Sequence, residues 1–322
     1  MKKLALAAAI SAAAVPTVSM AETTIYGNFR YTVGTVDTGG TDTGITAVNN
    51  ASRLGVKGSV GDKDGITGFY HLQMGANPDG NGATGTGGGP TALTDRFYFA
   101  GFKGSFGTAL FGRASSPYKM AGLKLDPFYD TAAGSHNAGS NYGFSSFTNG
   151  FFNNVVAYIT PKIAGGLTAN IVAVIDDSAN DKHAFNIGGA WSSNGVTVGL
   201  QYIDADDLLG TTAARFHAGY KAKGWSAGIN YEDIDDGSAD GGQFLNISGA
   251  YGIGSGKIAA SFGTVDGSMT GLRNAKGSGY TIGYFHNLAK KTQVGGLISS
   301  VDYDAGTAND RDVVGFMLVQ SF

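Results

Sequence analysis

Residues 214–231, ARFHAGYKAKGWSAGINY, alternate apolar and polar side chains on both sides of a short polar turn. Ala214, Phe216, Ala218 and Tyr220 fall on one face, opposite Arg215, His217, Gly219 and Lys221. After the turn, Trp225, Ala227, Ile229 and Tyr231 oppose Ser226, Gly228 and Asn230. A period of two places successive side chains on opposite faces of a strand, where a helix would need 3.6. Residues 196–202, VTVGLQY, repeat the pattern with Val196, Val198, Leu200 and Tyr202 against Thr197, Gly199 and Gln201.

Working outward from this hairpin, the chain from Thr23 to Phe322 reads as about sixteen such segments of roughly 9–13 residues, the length of a tilted strand crossing a bilayer. The 53 glycines in 322 residues oppose long helices, since each costs about 1 kcal/mol in a helix interior relative to alanine. Aromatic residues gather at segment ends, as in IYGNFRY (25–31) and GYTIGYFHN (279–287), where a membrane barrel places its girdles. A soluble sandwich is the alternative reading of the same alternation. The expectation is an all-β, transmembrane antiparallel β-barrel of about sixteen strands.

The gaps between segments have two lengths. GDKDG, GSFG, TPKIAGG, SSNG, KAKGW, GIGSGK and NLAKKT are short; 37–50, 77–93, 114–152, 176–182, 204–212, 232–242, 266–277 and 302–312 are longer, and the two kinds alternate. Short periplasmic turns alternating with longer external loops are a feature of outer-membrane barrels. Charge follows the same parity. Of 25 acidic residues only Glu22, Asp62, Asp64 and Asp95 lie outside the longer gaps, which leaves 21 within them.

Residues 1–21, MKKLALAAAISAAAVPTVSMA, read as a secretory signal peptide: a Lys2–Lys3 head, a short apolar run and a small-residue ending. The barrel domain is then 22–322, exported to the bacterial outer membrane, with outer-membrane lipid and lipopolysaccharide around it. There is no cysteine, so no disulfide scaffold and no thiol chemistry. A net charge of −3 gives no reason to expect a nucleic-acid partner.

Catalytic constellations are not found. The histidines, His71, His136, His183, His217 and His286, are scattered without metal-ligand spacing, and no G-x-S-x-G, H-E-x-x-H or Walker pattern occurs. The chain reads as no enzyme and calls for no cofactor. Asp233, Asp235 and Asp236 crowd carboxylates as a calcium loop does, but the twelfth-position glutamate is missing. A solvated acidic loop is the better reading, with loose calcium binding open.

The gap 114–152 is too long for an ordinary connection and carries Phe128, Tyr129, Tyr142, Phe144 and Phe147, too many aromatics to leave in water. It is expected to fold into the lumen, with Asp126 and Asp130 toward the polar inner wall. Alternation turns Tyr26, Asn28, Arg30, Arg53, Lys57, His71 and Gln73 inward, and Arg96 with Tyr98 and Ala100, leaving Phe97 and Phe99 to the lipid face. Arg113 belongs to the same lining. A charge on the lipid face would cost about 2–4 kcal/mol near the midplane, which favours the lumen. The alternative for these arginines is a solvated place at the rims. Arginines facing two acids would sort permeating solutes by charge as well as size.

ASRLGVKGS (51–59), GFYHLQM (68–74) and DRFYFAGFKGSFGTALFGR (95–113), followed by a long third loop, resemble the Gram-negative general porins. The resemblance implies a sixteen-stranded barrel, a homotrimer and an inward third loop that forms an eyelet against wall arginines, mapped here to Arg53 and Arg96. A further basic position of that family is Thr94 here, and its third-strand acid is Gln73. Its P-E-F-G-G loop signature is replaced by LDPFYD (125–130), and the second loop that latches a neighbouring subunit is NPDGNGATGTGGGPT (77–91). In that family a terminal aromatic such as Phe322 marks the closing strand for assembly. The expected function is passive diffusion of small hydrophilic solutes and ions, the acidic loops tilting selectivity toward cations and the inward arginines opposing them. A surface receptor or adhesin acting through its acidic loops is the alternative, with a barrel enzyme behind it.

Overall fold

The computed structural model describes residues 22–322 other than 43, 79–92, 136–141, 146, 148–149, 164, 176–181, 238–240, 268–275 and 305–309. The expected signal peptide and most of the second-loop latch lie outside the described residues.

Strand segments follow one another in the order β1 (Thr23–Thr38), β2 (Ile45–Asn49), β3 (Arg53–Lys63), β4 (Ile66–Ala76), β5 (Leu93–Gly104) and β6 (Gly107–Ala114). After a helical turn, α1 (Pro117–Leu123), come β7 (Phe152–Ile159), β8 (Leu167–Ile175), β9 (His183–Ser193) and β10 (Val196–Ala205). A short α2 (Asp206–Leu209) precedes β11 (Thr211–Ala222), β12 (Trp225–Asp235), β13 (Gly242–Ile253), β14 (Gly256–Gly267), β15 (Gly277–Ala289), β16 (Thr292–Tyr303) and β17 (Arg311–Ser321). Each pairs antiparallel with its neighbours, and β17 returns to β1 from Asn28↔Ser321 to Thr38↔Arg311, so the sheet has no free edge.

The seventeen segments make sixteen staves, because β2 and β3 share one. Both pair with β1, β2 opposite Tyr31–Thr35 and β3 opposite Thr23–Asn28. The ladder breaks at residues 50–52, where Ala51 takes φ +58° and the extra residues are sewn down by side chains. Asn50 Nδ2 donates to Thr32 Oγ1 (2.6 Å), and Ser52 Oγ accepts the Arg30 amide (2.9 Å). An extra residue of this kind bends a strand and re-aims the side chains beyond it, here Arg53.

Outside, the barrel is apolar. Leu200 is 64% exposed while its neighbour Gln201 is 6% exposed. Phe216, Tyr220, Trp225 and Tyr231 are exposed, and Arg215, His217 and Asn230 are buried, so the hairpin at 214–231 has the two faces its sequence predicts. The β11–β12 turn passes through Gly224 at φ +87°, a conformation costly for residues with a Cβ, and brings Tyr220 against Trp225 with their rings tilted by 55° (4.9 Å between centroids). No helix among the described residues is long and apolar enough to cross a membrane; the staves cross it.

Two expectations are corrected. Strands run farther than alternation alone suggests: Glu232, Asp233 and Asp235, read as loop acids, belong to β12. Asp233 and Asp235 point outward from it and Asp235 Oδ1 accepts the Gly237 amide (2.9 Å), while no group of three or more acidic or histidine side chains suited to a metal occurs among the described residues. Asp233 and Asp235 therefore leave the acidic loop for the end of a strand. On β5, a register shift opposite Gln73/Met74 pairs Gln73 with Phe97 but Met74 with Asp95. Phe97 and Phe99 thereby lie against His71 on the inner side, and Tyr98 and Ala100 take the outer one.

Candidate functional site: a charged crossing inside the barrel

The bulge on β5 explains how Arg96 still points inward beside Phe97. Arg96 Nε donates to Gln73 Oε1 (2.8 Å), and Gln73 Nε2 donates to the Tyr26 hydroxyl (2.7 Å). That hydroxyl bonds His71 Nε2, so Arg96, Gln73, Tyr26 and His71 form one chain across β5, β4 and β1. Lys57 Nζ lies 5.2 Å from the centre of the Tyr26 ring.

Opposite this chain stands the segment between β6 and β7. Ser116 caps α1, its hydroxyl accepting the Lys119 amide (3.1 Å), and Pro117 occupies the first turn, where no amide is needed. Beyond α1, Asp130 takes φ +60°, which aspartate tolerates better than most residues, and its carboxylate meets Arg53 Nη2. Arg30 Nη1 donates to the Asp130 carbonyl (3.3 Å) and lies 4.0 Å from its carboxylate. Of the two acids expected to face the wall, Asp130 does so. Asp126 holds the segment to itself, accepting from the Phe128 amide (2.8 Å) and from the amide and hydroxyl of Ser135 (3.2 and 2.9 Å).

Arg113 differs from its expected place. It is opposite Tyr98, on the outward register, and donates to Asn153 Oδ1 (2.7 Å) and the Asp95 carbonyl (3.4 Å). Its guanidinium nevertheless lies 5.8 Å from the centre of the Phe151 ring, beside Lys119 and Arg96. Sequence reasoning missed Lys119 and Phe151. Phe151 has Lys119 Nζ 3.6 Å from its ring centre and the Arg96 guanidinium 4.8 Å away. Burial and the nearby Arg96 guanidinium push the Lys119 ammonium down to about 7, against the pull of Asp130.

A second set of contacts ties the segment to the far wall. Arg215 and Glu232 face each other across β11–β12, both fully buried, with Nη2···Oε1 at 2.8 Å. Glu232 also accepts from the Tyr118 hydroxyl (2.9 Å) and the Ser145 hydroxyl (2.5 Å), and Arg215 Nη1 donates to the Tyr118 carbonyl. Burial and the Glu232 carboxylate raise the Tyr118 phenol above its ordinary range, so it stays a donor. Farther round, Tyr142 bonds Thr281 (2.5 Å), Phe128 packs on Phe285, and Arg311 donates to the Ala132 carbonyl (2.8 Å). Of the aromatics singled out in the sequence, Phe128, Tyr142, Phe144 and Phe147 are buried and Tyr129 is half-buried; Tyr118 is buried with them. The sequence carried a signal for Glu232: extending the alternation of WSAGINY by two residues places it on the face of Asn230.

A closed sixteen-stave barrel, apolar outside and lined with charged side chains within, defines an outer-membrane β-barrel protein. The Gram-negative porin family profile matches residues 5–306, and the chain belongs to that family. It is 27% identical over 203 residues to a major outer membrane protein P.IB of Neisseria gonorrhoeae, covering 61% of this chain and 55% of that one. The chain spans about half the length of the curated relatives it matches. In fold it is similar to the anion-selective porin of Comamonas acidovorans, with TM-score 0.79 and 18% identity over 94% of this chain and all of that one. The trimer form of OmpT from Vibrio cholerae matches at TM-score 0.69 and 13% identity, over 94% of this chain and all of that one.

Proposed function

We propose that the protein is a passive diffusion channel for small hydrophilic solutes and ions, narrowed where residues 115–135 enter the lumen and Asp130 approaches Arg53, Arg30 and Arg96. The observation that carries this reading is the Asp130–Arg53 contact, which joins a loop residue to a wall residue 77 positions away. Catalysis plays no part in this reading, and a homotrimer is its working form, as the trimeric relative suggests.

Charge at the crossing favours anions. Three arginines and Lys119 surround one carboxylate, inside a low-dielectric wall that strengthens each interaction. The acidic outer loops act on cations at the mouth, where salt screens them over about 8 Å at physiological ionic strength. The narrow place dominates selectivity because solutes there cannot keep a Debye length of water around them.

Reconstitution into planar bilayers should give discrete conductance steps, with a reversal potential of anion-preferring sign in a potassium chloride gradient. Arg53→Ala should lower the anion-to-cation permeability ratio by about twofold or more, and Asp130→Asn should raise it. A silent bilayer would sink the channel reading; unchanged reversal potentials in both variants would sink the crossing.

A further inference from the structure

Below Arg96 the inner wall changes character. Phe97 and Phe99 of β5 and Leu110 of β6 line one side; Met120 of the crossing segment lines it too, and Leu125, seated against Gly219 and Gly228 of β11 and β12, lines the far side. Between them lies a cavity of about 760 Å³ that runs from α1 toward the short β9–β10 and β11–β12 turns. Other apolar inner faces of this barrel are filled by the segment itself: Met317 and Phe285 by Phe128, Leu297 and Val313 by Ala132 and Ala133. Here the wall and the segment stand apart.

The charged residues of the cavity are of one sign. Lys124 and Lys221 line it and neither aspartate nor glutamate does; His71 and His217 add neutral imidazoles. Three lining side chains also hold a buried hydrogen-bonding atom without a partner among the described residues: Ser115 Oγ, Asn170 Oδ1 and His217 Nδ1. Buried polar atoms are rarely left so; of the three, the Ser115 hydroxyl can turn to donate to a bound carboxylate, whereas Asn170 Oδ1 can only accept.

From the apolar wall, the single sign of charge and the unpartnered polar atoms, we infer that this cavity binds a small amphipathic monocarboxylate. Its apolar body lies against Phe97, Phe99 and Leu110, and its carboxylate is turned toward Lys124. An organic cation would find no carboxylate there and two lysines opposing it, and a sugar would leave the apolar wall uncovered. The inference rests on the channel reading only for the route by which the solute arrives.

Benzoate and acetate, added at equal concentration to the protein in planar bilayers, test it. Benzoate should lower the ion current saturably and acetate should not. Lys124→Gln, at an exposed loop position, and Leu110→Asn, on the lumen side, should each weaken the block by about tenfold or more. Benzoate acting like acetate, or both variants blocking as the native protein does, overturns the site. Calorimetric titration of benzoate into the detergent-solubilised protein reads binding without current. Heat of binding with no conductance overturns the channel reading alone, and conductance without heat of binding overturns the site alone.

Discussion

Lys119 shows how much a single residue of the crossing depends on its surroundings. Burial and the neighbouring Arg96 guanidinium push its ammonium down to about 7, against the pull of Asp130. Protonated below that pH, it adds a positive charge to the crossing; above it, the charge is lost. Anion preference should therefore fall as the pH rises from 6 to 8.5, read as a shift of the reversal potential, and Lys119→Met should flatten that dependence. A native protein with a flat profile would show that Lys119 does not face the conducting path. Nothing in the order PYKMAGL marked this lysine, because its partners come from β5 and from the residue before β7. Arg53 was legible, since RLGVKGS fixes its face by alternation. Arg96 was legible for a reason that did not hold: alternation paired it with Tyr98, whereas a bulge sets it beside Phe97. Arg113 takes its register opposite Tyr98 in the same way, as local register overrides the sequence period wherever an extra residue enters a ladder.

Among the elements, the segment between β6 and β7 behaves as a strap fastened at both sides. On one side Asp130 meets Arg53; on the other Tyr118 and Ser145 bond the Glu232 carboxylate of the buried Arg215 pair. Breaking such a pair by removing one partner leaves an uncompensated buried charge, at a cost of about 3–5 kcal/mol. Glu232→Ala should thus loosen the strap while the sheet persists. Hydrogen exchange should rise along residues 115–135 with β-sheet circular dichroism unchanged, and single-channel current should become noisier. Unchanged protection would mean that the ion pair serves β11–β12 alone. The length and aromatic content of this gap announced a packed segment, and its burial follows from that. Where each aromatic packs was hidden, because Tyr118 and Glu232 are 114 residues apart and meet only when the barrel closes.

At the scale of the whole molecule, the barrel divides two solvents. Leu200 belongs to the lipid side and its neighbour Gln201 to the lumen. Leu200→Arg should destabilise the folded barrel by about 2–4 kcal/mol, whereas Gln201→Arg should change stability little. Reversible unfolding in lipid vesicles by denaturant checks both, and equal effects would refute the assignment of faces. This division is what the chain states in its own order, through alternation, glycine content and the parity of short turns and long gaps. Those signals are local, since a period of two needs only a few neighbouring residues to be read. The fold class, the stave count and the facing of most wall residues come from them. Only the closed structure decided the break in the second stave, the bulge beside Arg96, the outward place of Arg113 and the union of Asp130 with Arg53. Each depends on register between distant strands or on which side chains the closed wall brings opposite a long segment. Such choices are settled by packing and by the need to pair buried polar groups, neither of which has a period along the chain.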